Sequence, residues 1–204
     1  MVGLTIAHLG VTLFLLTELG SDPFNVLVQG LYRSFSTFLP SLTHGRVHIA
    51  VSLLIILILL AVDRSYVKIG TALCMVCGGP IIDYFTSVFA ALSIPGRPLP
   101  LRIAVLAIGC VILAYGMTLV IKSDAGTGPN DLVAVIISDK LHKRFSLVRI
   151  IVDVCFVALG MILGGTAGIG TVICAFLVGP VAGIFLPING RLVAQILTGC
   201  QERK

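Results

Sequence analysis

Acids and amides are scarce in this chain, and those placed to do chemistry gather at two points. One run reads Thr17-Glu18-Leu19-Gly20-Ser21-Asp22-Pro23-Phe24-Asn25, the other Ser123-Asp124-Ala125-Gly126-Thr127-Gly128-Pro129-Asn130-Asp131. In each, a glycine and a proline interrupt an apolar segment. A helix that ends at such a break exposes unpaired carbonyls, and the one that begins at the proline exposes unpaired N–H groups. Paired ends of this kind bind either sign of charge. Glu18, Asp22, Asn25, Asp124, Asn130 and Asp131 are therefore the candidate substrate-binding residues. Four carboxylates among them favour a cation, an amine or protons. Glu18 and Asp124 take the role of charge recognition or proton carriage, and the amides and Asp131 supply hydrogen bonds. The competing reading is that these residues are helix caps and turn formers, since acids and amides suit the first helical turn.

Other polar residues stand singly. Asp153 follows Arg149 by one helical turn, a spacing that permits a local ion pair, and Ser52 occupies the corresponding place in the first half. Asp83 follows Gly78-Gly79-Pro80, the expected kink of a long helix. His44 and His48 have the spacing of a metal pair on a helix, but no third ligand is near, and no metal or other cofactor is expected. Cys74, Cys77, Cys110, Cys155, Cys174 and Cys200 lie in apolar sequence and read as small hydrophobes. The run Gly164-Gly165-Thr166-Ala167-Gly168-Ile169-Gly170 lacks a P-loop lysine and reads as a tight turn between helices. No nucleophile elbow or zinc-protease helix occurs, so an enzyme is not expected.

The elements that must position these residues are membrane helices. The chain is 57% hydrophobic and 11% charged, with a mean hydropathy of +1.11, which cannot cover a soluble surface. Residues 103–121 and 168–191 each suffice to cross a bilayer, and 47–62 nearly so. The basic residues sit in loops at helix ends, so the net charge of +5 is no sign of nucleic-acid binding. Met1 opens directly into an apolar segment without a basic leader or cleavage site; no signal peptide is read, and such an abrupt opening is expected of a chain whose start lies upstream.

The chain also repeats itself. Gly10-Val11-Thr12-Leu13 before the first break matches Gly116-Met117-Thr118-Leu119 before the second, 106 residues on. Gly70-Thr71, Cys74 and Gly79-Pro80 match Gly170-Thr171, Cys174 and Gly179-Pro180 at an offset of 100. Each half reads as four segments: 3–19 or 102–122, 23–35 or 129–142, 47–62 or 147–164, and 69–92 or 168–186. The expected fold is thus all-α and polytopic. Repeat 1 covers 1–95, a Pro-rich linker follows, repeat 2 covers 101–188, and an interfacial tail of 189–204 closes the chain with a short amphipathic helix from 188 to 200.

The second segment of each half decides the topology. Its thirteen or so residues reach only about 20 Å, less than a bilayer core of about 30 Å. If it crosses, the repeats are parallel and the 14 basic residues divide 11 to 3; if it dips and returns, the repeats are inverted and the division is 10 to 4. The positive-inside rule favours crossing by one residue, with both termini cytoplasmic and both breaks at one depth.

At Leu19-Gly20-Ser21-Asp22-Pro23-Phe24-Asn25-Val26-Leu27 and Ile69-Gly70-Thr71…Gly79-Pro80-Ile81-Ile82-Asp83, with the echo Gly126-Thr127-Gly128-Pro129, the chain resembles the YczE/YyaS/YitT group of bacterial integral membrane proteins. The resemblance spans nearly the whole length and implies a multi-pass protein of the bacterial inner membrane, with no substrate attached. Two hydrophobic halves built to one plan point to secondary transport of a small polar or cationic solute, at a pocket where the repeats meet. The alternative is a membrane binding subunit, accessory protein or sensor that moves nothing. The expected partners are the lipid bilayer and that solute, with no nucleic acid; two small repeats can close a pocket alone or as a homodimer.

Overall fold

The computed structural model describes residues 1–36, 39, 42 and 44–201, with 197–201 as helix backbone. The described residues form eight α-helices and no strand: α1 Val2–Leu16, α2 Pro23–Ser36, α3 His44–Val62, α4 Ile69–Phe89, α5 Leu99–Lys122, α6 Pro129–Leu141, α7 Phe145–Ile162 and α8 Ile169–Gln201. Short 3-10 turns at Arg64–Tyr66, Ala90–Leu92 and Ile94–Gly96 fill the connections on either side of α4.

Five of these helices, α3, α4 with its following turn, α5, α7 and α8, are long and apolar enough to cross a membrane, and α1 is a shorter apolar helix. The breaks behave as their residues dictate. After α1, Thr17 Oγ1 donates to the Phe14 carbonyl at 2.7 Å, Glu18 turns left-handed at φ 50°, and Gly20 takes φ 142°. After α5, Ser123 Oγ donates to the Val120 carbonyl at 2.7 Å, Asp124 takes φ 53°, and Gly126 takes φ 96°. A left-handed residue just past the last turn is a common way to end a helix. Pro23 and Pro129 then open α2 and α6, where a missing N–H costs nothing.

The helix directions correct the expected topology. Parallel repeats require α1 and α5 to run the same way, yet they are antiparallel. Gly3 lies against Leu119 and Gly116, and Gly10 against Gly109 and Leu113. Arg102, at the start of α5, donates from Nε and Nη2 to the Thr17 carbonyl, at 2.8 and 2.5 Å. The two breaks therefore sit at opposite ends of the bundle, not at one depth. Small residues carry this crossing: a Cβ on Gly116 would strike the Ala7 backbone, and one on Gly10 would strike Leu113.

The short helices turn back toward the end they came from. α2 runs beside α7 in the same direction, with Phe24 on Phe156 (ring centroids 5.6 Å), Gly30 on Gly160, and Ser34 Oγ donating to the Leu163 carbonyl at 2.9 Å. Since α7 ends where α1 ends, beside the start of α8, α2 returns there too. α6 likewise follows α3: Leu132 and Ile136 pack on Leu59, and Lys140 Nζ lies 3.7 Å from Asp63. A helix of 13 or 14 residues is too short to span, and a margin of one basic residue could not overrule that length.

α5 and α8 run in parallel through the main core, with the Tyr115 and Phe185 rings 5.2 Å apart and Asn189 Nδ2 donating to Thr118 Oγ1 at 2.7 Å. Leu106, Cys110, Ala114 and Val178 are wholly buried there. α8 is a single helix through Pro180 and Pro187. The separate helix expected from 188 onward is thus the continuation of the last one. Arg203 and Lys204 lie outside the described residues.

Candidate functional site

Arg149 is the centre of the polar interior. It sits one turn into α7, 6% exposed, and reaches two carboxylates at once. Its Nε donates to Asp153 Oδ2 at 2.9 Å and its Nη1 to Asp131 Oδ1 at 2.5 Å. The first bond is the i,i+4 pair legible in the spacing. The second arrives from the start of α6, beyond the second break. Asp153 itself is 1% exposed.

The first break reaches the same place from the opposite end. Asp22 caps α2 through Asn25: the Asn25 backbone N–H donates to Asp22 Oδ1 at 3.1 Å and its Nδ2 to Asp22 Oδ2 at 2.5 Å. Asp22 and Asp131 both lie close enough to Asp153 to act on it electrostatically. One guanidinium therefore holds two carboxylates, and Asp22 at the start of α2 is a third within electrostatic reach of Asp153. A buried cluster with an excess of acid gains most by taking up a cation or a proton. On α3, His48 sits edge-on to Phe24 at 5.3 Å and within electrostatic reach of Asp22. One turn further along this face is Ser52, fully buried, whose hydroxyl has no partner.

Of the six candidate residues, Asp22, Asn25 and Asp131 are brought together here. Asn130 stays in the first turn of α6, beside Gly128. Glu18 and Asp124 do not join. Both are exposed left-handed residues at the outer ends of the breaks, and Asp124, with its side chain 87% exposed, pairs with Lys68 Nζ at 2.6 Å. Both therefore stand apart from the Arg149 cluster, at the ends of α1 and α5, whereas Asp22 and Asp131 stand at the starts of α2 and α6. Arg149 and Asp153 were visible in the sequence only as a local pair, because nothing in the spacing carries Asp131 to them. His44 and His48 face Tyr32 and Phe24 as ring contacts, and among the described residues no three His, Cys, Asp or Glu side chains gather as metal ligands.

Each break is held by the other half. Gly170 at the start of α8 donates its N–H to the Leu19 carbonyl at 2.9 Å; Gly70 at the start of α4 donates to the Ala125 carbonyl at 2.7 Å. These are the same bond at corresponding positions. Beside the second break lies a cavity of about 170 Å³ lined by Ser65, Tyr66, Lys68, Asp124, Gly126 and Thr127, among others. Next to the lining residue Ser65, Asp63 accepts from Ser65 N and Oγ, at 3.0 and 2.7 Å, and these bonds hold its carboxyl below the ordinary carboxylate range.

Apolar spanning helices around a buried charged centre define a polytopic membrane protein. More narrowly, residues 1–187 match the family of unknown function DUF6198, and the chain belongs to it. It is 31% identical to the uncharacterized membrane protein YczE of Bacillus subtilis (strain 168) over 194 residues, covering 94% of this chain and 85% of that one. An uncharacterized protein of Haemophilus influenzae is 28% identical over 192 residues, 94% and 84% of the two chains. YyaS of Bacillus subtilis, also uncharacterized, is 25% identical over 191 residues, 93% and 92%. No solved structure matches.

Proposed function

We propose that this protein is a secondary carrier for a small polar or cationic solute, built from two inverted halves, with its binding site at Asp22, Asn25, Asp131, Arg149 and Asp153. One observation carries this reading. Two broken helices enter from opposite ends: Asp131 in the first turn of one bonds the Arg149–Asp153 pair, and Asp22, which caps the other, lies within electrostatic reach of Asp153. Interrupted helices in oppositely oriented halves, meeting at mid-depth, are how carriers build a site reachable from either side. Ionisable groups are costly within a bilayer and mark ion or substrate pathways.

The orientation follows from charge. Arg64, Lys68, Lys122, Lys140, Lys143, Arg144 and Arg191 lie toward the end where α1 begins and α8 finishes, whereas Arg33, Arg46, Arg97 and Arg102 lie toward the other. The positive-inside rule makes the first end cytoplasmic, in a bacterial inner membrane.

The test is electrical. Proteoliposomes on a solid support are challenged with pH steps and with small organic cations such as choline, ethanolamine and putrescine. A carrier gives a saturable transient current that is lost in Asp131→Asn while the protein still elutes as a folded species. A rise in melting midpoint with one of these probes, unaccompanied by any current, would instead describe a binding subunit and overturn the carrier reading.

A further inference from the structure

The third helices of the two halves carry one pattern near their starts. Val47-His48-Ile49 and Val51-Ser52 on α3 stand where Val148-Arg149-Ile150 and Val152-Asp153 stand on α7. Val47 and Ser52 are buried on the first helix, and Val148 and Asp153 on the second, so the register holds in the fold as well. On that register His48 takes the place of Arg149, and Ser52 that of Asp153. The short helices correspond too: Asn25 follows Pro23 in α2 by the same two residues as Asp131 follows Pro129 in α6.

The chemistry differs at each of these places. In the second half the charges are permanent, and Arg149 spends two donors on two carboxylates. In the first half the acid is Asp22, whose oxygens accept from Asn25 N and Nδ2. Among the described residues no lysine or arginine forms an ion pair with it. His48 is half-buried, edge-on to Phe24 and within electrostatic reach of Asp22. One turn on, the Ser52 hydroxyl is fully buried and without a partner. The other groups about His48 are His44 on its own helix, in ring contact with Tyr32, and Asp131 on α6, already held by Arg149.

Resting on the carrier reading, we infer that His48 is the proton site that couples the carrier, its charged ring held by Asp22 and Ser52 as Arg149 is held by Asp131 and Asp153. The count of donors supports this. A neutral imidazole has one N–H and an imidazolium has two, so only the charged ring can serve both the Asp22 carboxylate and the Ser52 oxygen. The proton comes from water and adds to the free ring nitrogen, and no bond in the chain breaks. A coupling ion has to be released as well as bound. Arginine never gives up its charge, whereas histidine does so near neutral pH, and ionisable groups within a bilayer mark such proton paths.

Nitrogen-15 histidine spectra of the whole protein in lipid nanodiscs test it. The chain has four histidines, and His48→Gln identifies the His48 signal by its loss. Asp22→Asn keeps a capping side chain but removes the charge, so His48 should bind its proton about tenfold more weakly. Ser52→Ala removes a hydroxyl that bonds only the charged ring, and proton affinity should fall about fivefold. A packing role for Ser52 would move the melting midpoint and leave the titration alone. In proteoliposomes the current driven by a pH gradient should vanish in His48→Gln, which cannot take the proton, and in His48→Arg, which cannot release it. The inference is overturned if Asp22→Asn or Ser52→Ala folds and leaves the His48 titration in place, or if His48→Gln keeps a pH-driven current. Should one of the two fail to fold, the other decides, since each removes a separate acceptor. A titration that responds to both, in a protein giving no current with any probe, would sink the carrier reading and spare the proton site. Solute current with an unresponsive titration would do the reverse.

Discussion

At the scale of single residues, Arg149 does work that its neighbours make obligatory. With its guanidinium 6% exposed and two carboxylates on it, truncation leaves Asp153 and Asp131 facing each other without a counter-charge. Removing one partner of a buried pair costs about 3–5 kcal/mol, because the remaining charge is stranded. Arg149→Met should therefore lower thermal stability sharply, and Arg149→Met with Asp153→Leu should recover part of the loss. A double-mutant cycle in detergent measures the difference; additive losses would mean the pair is not coupled. Glu18→Gln and Asp124→Asn should each stay within about 0.5 kcal/mol, since both acids are exposed. The candidate cluster was half legible at this scale. Types and spacing singled out Asp22, Asn25 and Asp131, and paired Arg149 with Asp153. That Glu18 and Asp124 lie exposed outside the cluster was not legible, because a sequence does not say which acid of a break turns inward.

Elements were more legible than their directions. Proline and glycine fix where α2 and α6 begin and where α1 and α5 end, so the expected segments agree with the helices to within a few residues, except at α8, which runs on through Pro187. Direction depends on contacts distant in sequence. The antiparallel crossing of α1 and α5 is set by Gly3, Gly10, Gly109 and Gly116, whose backbones touch across the interface. These glycines were visible, but their partners were not. Gly116→Val has no room against Ala7 and should part the two helices, at a cost of about 1–3 kcal/mol for overpacking, or fail to fold. Gly79→Ala, with open space around it, should cost far less. Comparing the two midpoints checks that the crossing, and not glycine content, holds the bundle.

For the whole molecule, the decisive fact is that neither half completes its own break. Gly170 and Thr171 serve the first turn, and Gly70 serves the second. A chain split in the linker at residues 95–98 should yield two fragments that are degraded when made singly and recover a protease-resistant complex when made together. Fragments stable alone would show that the exchanged bonds are dispensable.

The same exchange governs how the protein can be born. Ser21 and Thr171 are 150 residues apart, so the first turn is made long before the helix that satisfies it. At about 5–20 residues per second, its carbonyls wait roughly 8–30 s for their donor during synthesis. Over that interval the nascent first turn has to stay wet or lean on the insertion machinery, because bare backbone carbonyls are not tolerated in lipid. Biogenesis of this small protein is then vulnerable at its last helix: a ribosome that stalls before α8 leaves a chain whose first turn cannot close.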